Sequence, residues 1–208
     1  MKPEDLGKAY DQITHLWGDD FNLENGIAEH QRALSFAPEN GLALDVGCGP
    51  TGRFIDLLID AGFKVEGIDV SEKMLELARE RHPEIEFSQA DICDYPLNKH
   101  YDFITAWDSI WHVPLGEQAK VMSKLANALN PGGVLIFTFG GLDAPSEHRD
   151  SSMGVEVYYA TLGTEGFLSM LIELGLTIKH LEFNQHPELH TYCIAQKPEN
   201  STENKDLE

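Results

Sequence analysis

Apolar residues recur at Leu6, Ala9, Tyr10, Ile13, Leu16 and Trp17, a 3.6-residue stripe that predicts an amphipathic helix over 4–17. A second helix is expected over 28–36, ended by the breaker Pro38-Glu39-Asn40-Gly41. From residue 42 the pattern changes. Short apolar runs at 42–46, 64–68, 85–88, 103–106 and 134–139 read as buried strands, and helical stripes at 53–61, 72–81 and 117–129 fall between them. Ser71 stands where it can cap the helix that starts at 72. Strands alternating with helices predict a parallel sheet covered on both faces. After Phe139 the rhythm stops. Residues 140–160 are polar and glycine-bearing, too long for a simple connection, and are expected to form an irregular lid-like insert. A helix over 164–174 and two strands over 177–183 and 189–196 follow, the strands forming an antiparallel pair at the sheet edge.

This organisation predicts an N-terminal helical cap (1–40), one α/β domain (41–197) and a disordered polar tail (198–208). A chain of 208 residues suffices for one sizeable core. Its net charge of −20 changes the functional picture more than its size does. Nonspecific nucleic-acid binding and anionic membrane surfaces both rely on lysine and arginine, so neither is expected as a partner. Cys48, Cys93 and Cys193 have no paired spacing, which predicts reduced thiols, no metal site and a cytoplasmic setting. No charged-then-apolar leader opens the chain, and no apolar run approaches the length of a membrane span.

The chemistry concentrates in Leu42-Ala43-Leu44-Asp45-Val46-Gly47-Cys48-Gly49-Pro50-Thr51-Gly52, a strand running through a glycine-rich turn into a helix. Backbone N–H groups and a helix N-terminus at such a turn suit a nucleoside-type ligand. Asp69 follows at the end of the next strand, placed to accept ribose hydroxyls. Glycine spacing alone also fits the dinucleotide fingerprint, so an NAD(P)-dependent oxidoreductase is the first competing reading. A non-catalytic cofactor-binding domain is the second, because a fold does not dictate a function.

Five elements in order resemble the class I S-adenosylmethionine-dependent methyltransferases. Asp45-Val46-Gly47-Cys48-Gly49 is similar to their acidic-x-Gly-x-Gly loop, and Gly67-Ile68-Asp69-Val70-Ser71 to their second motif. Ala90-Asp91-Ile92 is similar to the third, Tyr101 to Trp107 to the fourth strand, and Asn130-Pro131-Gly132-Gly133 to the turn into the fifth. The resemblance covers about residues 40–196. It implies a Rossmann-like, doubly wound, seven-stranded, mostly parallel sheet with an antiparallel last strand. It implies S-adenosyl-L-methionine as cofactor, held by Asp45, Gly47, Cys48, Gly49, Asp69, Val70, Met74, Asp91, Ile92 and Trp107. In this reading Asp69 binds the ribose, Val70 packs on adenine, Asp91 and the Ile92 N–H meet the adenine edge, and the Trp107 carbonyl faces the methionine moiety.

Because a sulfonium is already an activated donor, alignment supplies much of the catalysis, and a base matters only where the acceptor loses a proton. No catalytic residue is assigned on sequence. His112 is the candidate base, and Tyr10, His112, His148, Arg149 and Tyr159 are candidates for contact with a small-molecule acceptor, Arg149 as a clasp for a carboxylate. The expected assembly is a monomer or homodimer.

Overall fold

The computed structural model describes residues 2–17 and 23–199. Residues 200–208, most of the tail expected to be disordered, lie outside the described residues. The helix expected over 4–17 is α1 (Pro3–Ile13), with its last turn tightened to a 3₁₀ segment, Thr14–Trp17. It is followed by α2 (Ile27–Leu34), β1 (Gly41–Val46), α3 (Arg53–Asp60), β2 (Phe63–Asp69), α4 (Glu72–Arg81), β3 (Glu86–Gln89), β4 (Tyr101–Ala106) and α5 (Leu115–Ala128). Next come β5 (Leu129–Gly140), β6 (Ser146–Asp150), β7 (Val157–Thr161), α6 (Gly163–Glu173), β8 (Thr177–Glu182) and β9 (His190–Gln196). The Ser71 hydroxyl caps α4 by accepting from the Met74 N–H at 3.2 Å.

The main sheet has seven strands in the order β3-β2-β1-β4-β5-β9-β8. All pairings from β3 to β5 are parallel, and β9 runs antiparallel to both β5 and β8. The expected antiparallel pair closes the sheet at this edge, with β9 against β5 and β8 terminal. Two sequence expectations need correction. Residues 140–160 are not irregular, because β6 and β7 pair as an antiparallel hairpin, Ser146 opposite Thr161 and Asp150 opposite Val157. Its inner strand supplies buried Val157, Tyr158 and Ala160, whereas the outer strand is polar and exposed, so no apolar run announced it. Asn130-Pro131-Gly132-Gly133 does not precede the fifth strand but lies within it, at the register shift between Tyr101–Leu129 and Phe103–Val134 pairing.

Strand alternation sorts the core into two layers. Leu135, Phe137 and Phe139 of β5 face α5 and α6 with Val121, Leu125, Phe167 and Leu171. Val134 and Ile136 face the other side with Phe54, Ile55, Leu58 and Tyr192. The C-terminal ends of β1, β2, β3 and β4 are left along one rim, where parallel α/β sheets take their ligands. α1 covers this rim. At Gly7 it comes so close to the end of β2 that a Cβ would sit 2.5 Å from the Val70 carbonyl oxygen, so only glycine fits. The Asp11 carboxylate ties α1 down further, accepting from the Ser71 hydroxyl at 2.6 Å and the Lys73 N–H at 3.2 Å.

Candidate active site

One end of the rim is built from backbone. After Val46 the chain reverses at Gly47 (φ +72°), where a Cβ would also lie 2.5 Å from the Ser109 Cβ. The Gly47 and Cys48 N–H groups donate to the Ile68 carbonyl at 2.8 and 3.1 Å, clasping the glycine loop to β2. Asp69 then receives the Gly49 N–H on Oδ2 and the Ser71 N–H on Oδ1, both at 2.9 Å. Burial pushes its carboxyl up, and the backbone amides of Ser71, Gly49 and Val70 oppose that shift. A carboxylate offers about four lone-pair positions, so Asp69 retains capacity for ribose hydroxyls. Beyond β3, Asp91 Oδ1 accepts from the Cys93 N–H at 2.8 Å. Lys124 of α5 holds the same loop, donating to the carbonyls of Ile92, Cys93 and Tyr95 at 2.6, 3.0 and 2.9 Å. Its role was invisible in sequence, where a lysine on a helix reads as solvated surface.

These groups border a cavity of about 420 Å³, within the range of small-ligand sites. Gly47, Cys48, Gly49, Asp69, Val70, Met74, Asp91, Ile92 and Trp107 line it, as do Tyr10, His112 and Tyr159. The donor set fits an adenosine-bearing cofactor: two anchored carboxylates, an apolar wall from Val70, Met74 and Ile92, and open space beside Gly49. Asp45 is absent from the lining. Strand alternation turns it to the face shared with Ala43, where it is 2% exposed. Burial there pushes its carboxyl up to about 7, the Arg53 charge opposing and the Asp69 charge adding. It therefore lies behind the cavity wall and not in it.

The other end is built from side chains. His112 is enclosed by the rings of Tyr10, Trp111 and Tyr159, with centroids 5.4, 6.2 and 4.9 Å away. Its Nδ1 faces the Tyr158 carbonyl at 2.9 Å, so Nδ1 carries the proton and Nε2 the lone pair. That lone pair accepts from the Trp111 indole N–H at 3.0 Å and the Tyr10 hydroxyl at 2.7 Å. Desolvation holds the imidazole down at about 4, although the Tyr158 carbonyl and Asp108 favour its charged form. Burial, with the charges of Tyr159, Asp69 and Asp108, pushes the Tyr10 phenol up, so its hydroxyl remains a donor. His112 is thus placed to hold α1 over the cavity.

Arg149 and His148 lie outside this cavity's lining. Arg149 pairs with Glu156 at 2.8 Å on the outside of the hairpin, and His148 stacks on Tyr159 with centroids 5.1 Å apart. Their type suggested substrate contact, but β6 is the outer strand. The hairpin reaches the cavity through Met153 and Tyr159 instead.

Asp108, which is not among the residues the sequence offered as candidates, stands at the centre of this end. It follows β4 with φ +54°, the one non-glycine residue of positive φ among the described residues. Its N–H donates to the Thr138 hydroxyl at 2.7 Å, and its Oδ1 lies 3.0 Å from His190 Nε2. Among the described residues that line the cavity, Asp69, Asp91 and Asp108 are acidic, and Arg53 is the sole lysine or arginine. Arg53 itself donates to the Asn25 carbonyl and the Thr51 hydroxyl, each at 3.0 Å. A pyrophosphate would face three carboxylates here, whereas a sulfonium with a zwitterionic tail is favoured. Among the described residues no group of His, Cys, Asp or Glu could hold a metal ion, and no helix is long and apolar enough to cross a membrane.

Comparison with known proteins agrees with this geometry. Residues 43–133 match a family described as a methyltransferase domain. The chain is similar to 27-O-demethylrifamycin SV methyltransferase of Amycolatopsis mediterranei, 27% identical over 84% of this chain and 74% of the relative. It is also similar to a dTDP-4-amino-2,3,4,6-tetradeoxy-D-glucose N,N-dimethyltransferase of Saccharopolyspora spinosa, 31% identical over 64% of this chain. It spans 53% of that second, longer relative. Among solved structures, a S-adenosylmethionine-dependent methyltransferase of Leishmania major superimposes with a TM-score of 0.73 at 17% identity, over 93% of this chain and 82% of that one.

Proposed function

The chain belongs to the class I S-adenosylmethionine-dependent methyltransferases, and on that premise we propose that it methylates a small molecule enclosed between α1 and the β6–β7 hairpin. The observation that carries this reading is the cavity's division into two ends. One has the two anchored carboxylates Asp69 and Asp91, and the other is walled by Tyr10, Trp111, Met153 and Tyr159. The bound cofactor supplies a methyl group that is already activated. Gly47, Cys48, Gly49, Asp69, Val70, Met74, Asp91, Ile92 and Trp107 would hold it, with Asp45 behind the cavity wall. Tyr10, His112 and Tyr159 shape the acceptor end and exclude water, so that the nucleophile is aligned. Alignment of this kind contributes on the order of 7 kcal/mol.

The curated relatives support a small acceptor, since one acts on a rifamycin and the other on a nucleotide-linked amino sugar. The three free cysteines are buried, which suits a reducing, cytoplasmic setting. The helical cap, the α/β domain with its hairpin insert, and a monomeric or homodimeric state complete the proposal.

Calorimetry with S-adenosylmethionine, S-adenosylhomocysteine and NADH tests it. The two sulfur compounds are expected to bind in the micromolar range and NADH not to bind. Turnover is read as S-adenosylhomocysteine formed with a panel of acceptors. Tight cofactor binding without turnover on any acceptor would favour the non-catalytic reading instead.

A further inference from the structure

The hydrogen bonds around His190 fix its charge. Asn184 Nδ2 donates to Glu29 Oε1 at 3.0 Å, which orients the amide and turns its Oδ1 toward His190 Nδ1 at 2.6 Å. An amide oxygen only accepts, so Nδ1 carries a proton. The opposite nitrogen, Nε2, faces Asp108 Oδ1 at 3.0 Å, again an acceptor, so it carries one too. His190 is therefore an imidazolium between a fixed amide and a carboxylate, edged by the rings of Trp107 and Trp111 at 5.4 and 5.5 Å. A cation buried this deeply, 9% exposed, must be paired, and Asp108 is its partner. Asp108 Oδ2 points elsewhere, with Asn25 Nδ2 at a long 3.4 Å. The positive φ of Asp108 is a local cost sustained by the Thr138 and His190 contacts, and such costs collect at working sites. Its charge also reaches Tyr10, Arg53, His112 and Tyr159, the groups that surround the acceptor end.

We propose that Asp108, braced by His190, is the carboxylate that takes the proton an O–H or N–H acceptor loses, so that hydroxyl and amine compounds, not carboxylic acids, are the acceptors of this site. This rests on the methyltransferase reading above. As the bond from acceptor oxygen or nitrogen to the methyl carbon forms, the carbon–sulfur bond breaks and its electron pair neutralises the sulfonium. The acceptor's proton passes to Asp108 Oδ2, and the carboxylate becomes a carboxylic acid. His112 cannot take this part, because its one lone pair already serves two donors. A carboxylic acid acceptor is ionised near neutral pH and needs no base, and the free Oδ2 of an Asp108 carboxylate has no proton to donate to it. The one cavity-lining guanidinium, Arg53, is already engaged by Asn25 and Thr51. His190 is a positioning residue, acting through Asp108.

Two measurements on the full chain test the proposal, the first with S-adenosylhomocysteine bound and the second with S-adenosylmethionine supplied. Nitrogen NMR of histidine-labelled protein at pH 7.5 is expected to show both His190 ring nitrogens protonated, and only one in Asp108→Asn. A singly protonated His190 in the wild type would overturn the ion pair and with it the proposal. Turnover is then compared across phenol, benzylamine and benzoate, and across glucose, glucosamine and glucuronate. Hydroxyl or amine members are expected to be methylated, with kcat falling about 100-fold or more in Asp108→Asn while KM changes less than about 3-fold. Preferred methylation of benzoate or glucuronate, or an unchanged kcat in Asp108→Asn, would overturn it. A wild type inert toward all six would count against the function reading, and the NMR result alone would then decide the role of Asp108.

Discussion

The two ends of the cavity are made differently. At the cofactor end the recognising groups are held by main chain: Asp69 by the Gly49 and Ser71 amides, Asp91 by the Cys93 amide, and the glycine loop by the Ile68 carbonyl. At the acceptor end side chains hold one another, Tyr10 to His112, His190 to Asp108, and Asn184 to His190. Main-chain clasps need particular residues at short, regular spacings. Two of these three side-chain links join residues 102 and 82 positions apart, and any of several residue types could close them. The first end is suited to one invariant ligand, and the second can change its ligand without disturbing the fold.

The sharpest way to break that contrast is Asp69→Ala. It removes the ribose acceptor and also leaves the Gly49 and Ser71 N–H groups without their partner. Hydrogen bonds to charged groups contribute about 1.5–3 kcal/mol each, so S-adenosylmethionine affinity is expected to fall by roughly 100-fold or more in calorimetry. An affinity within a few-fold of wild type would show that the main-chain end does not depend on its carboxylate.

The same contrast explains what the sequence disclosed. Short apolar runs located the strands of the main sheet to within one or two residues, save for the early start of β5, because parallel strands and their helices bury strong periodic faces. Gly47, Asp69 and Asp91 were legible for a related reason: a turn with positive φ and a carboxylate at a strand end leave local signatures. Asp108 was not among the candidates, since its role depends on Thr138 and His190, 30 and 82 positions away. Arg149 and His148 were misleading in the opposite sense. Their residue types suggested ligand contact, but only the β6–β7 pairing reveals that they stand on the outer strand. The hairpin itself went unread because its outer strand buries nothing.

A smaller effect bears on electrostatics behind the two ends. Burial holds His30 down at about 3 and His112 at about 4, both below the ordinary 6.5, whereas it pushes Asp45 up to about 7 from 3.8. Between pH 4.5 and 6 the unfolded chain then binds up to two protons, on the histidines, that the folded chain does not. The folded chain keeps one, on Asp45, that the unfolded chain has lost. The histidine contribution to stability is complete above pH 6.5 and is lost on acidification. The Asp45 contribution is complete below pH 3.8 and is lost as pH rises through 7. These three groups therefore leave a net slope of about 1.4 kcal/mol per pH unit, with stability rising with pH. In urea unfolding over this window, His30→Gln is expected to flatten the slope by about that amount and Asp45→Asn to steepen it by as much. Parallel slopes in all three proteins would show that burial does not control these groups.

The smallest effect is the most discriminating for the acceptor end. Tyr10→Phe removes one donor to His112 Nε2, but the Trp111 indole still satisfies that lone pair, so nothing buried is orphaned. A neutral hydrogen bond contributes about 1 kcal/mol, which predicts roughly 5-fold weaker S-adenosylhomocysteine binding and faster hydrogen exchange over Pro3–Ile13. Arg149→Ala is the matched control. Its exposed pair with Glu156 contributes at most a few tenths of a kcal/mol, and neither quantity is expected to change. If Tyr10→Phe leaves exchange in α1 untouched, the Asp11–Ser71 tie alone closes the cavity, and the aromatic network serves the acceptor and not the lid. If Arg149→Ala weakens turnover while sparing cofactor affinity, the outer strand of the hairpin turns inward during the reaction, and the division between the two ends extends to a segment that lies outside the cavity at rest.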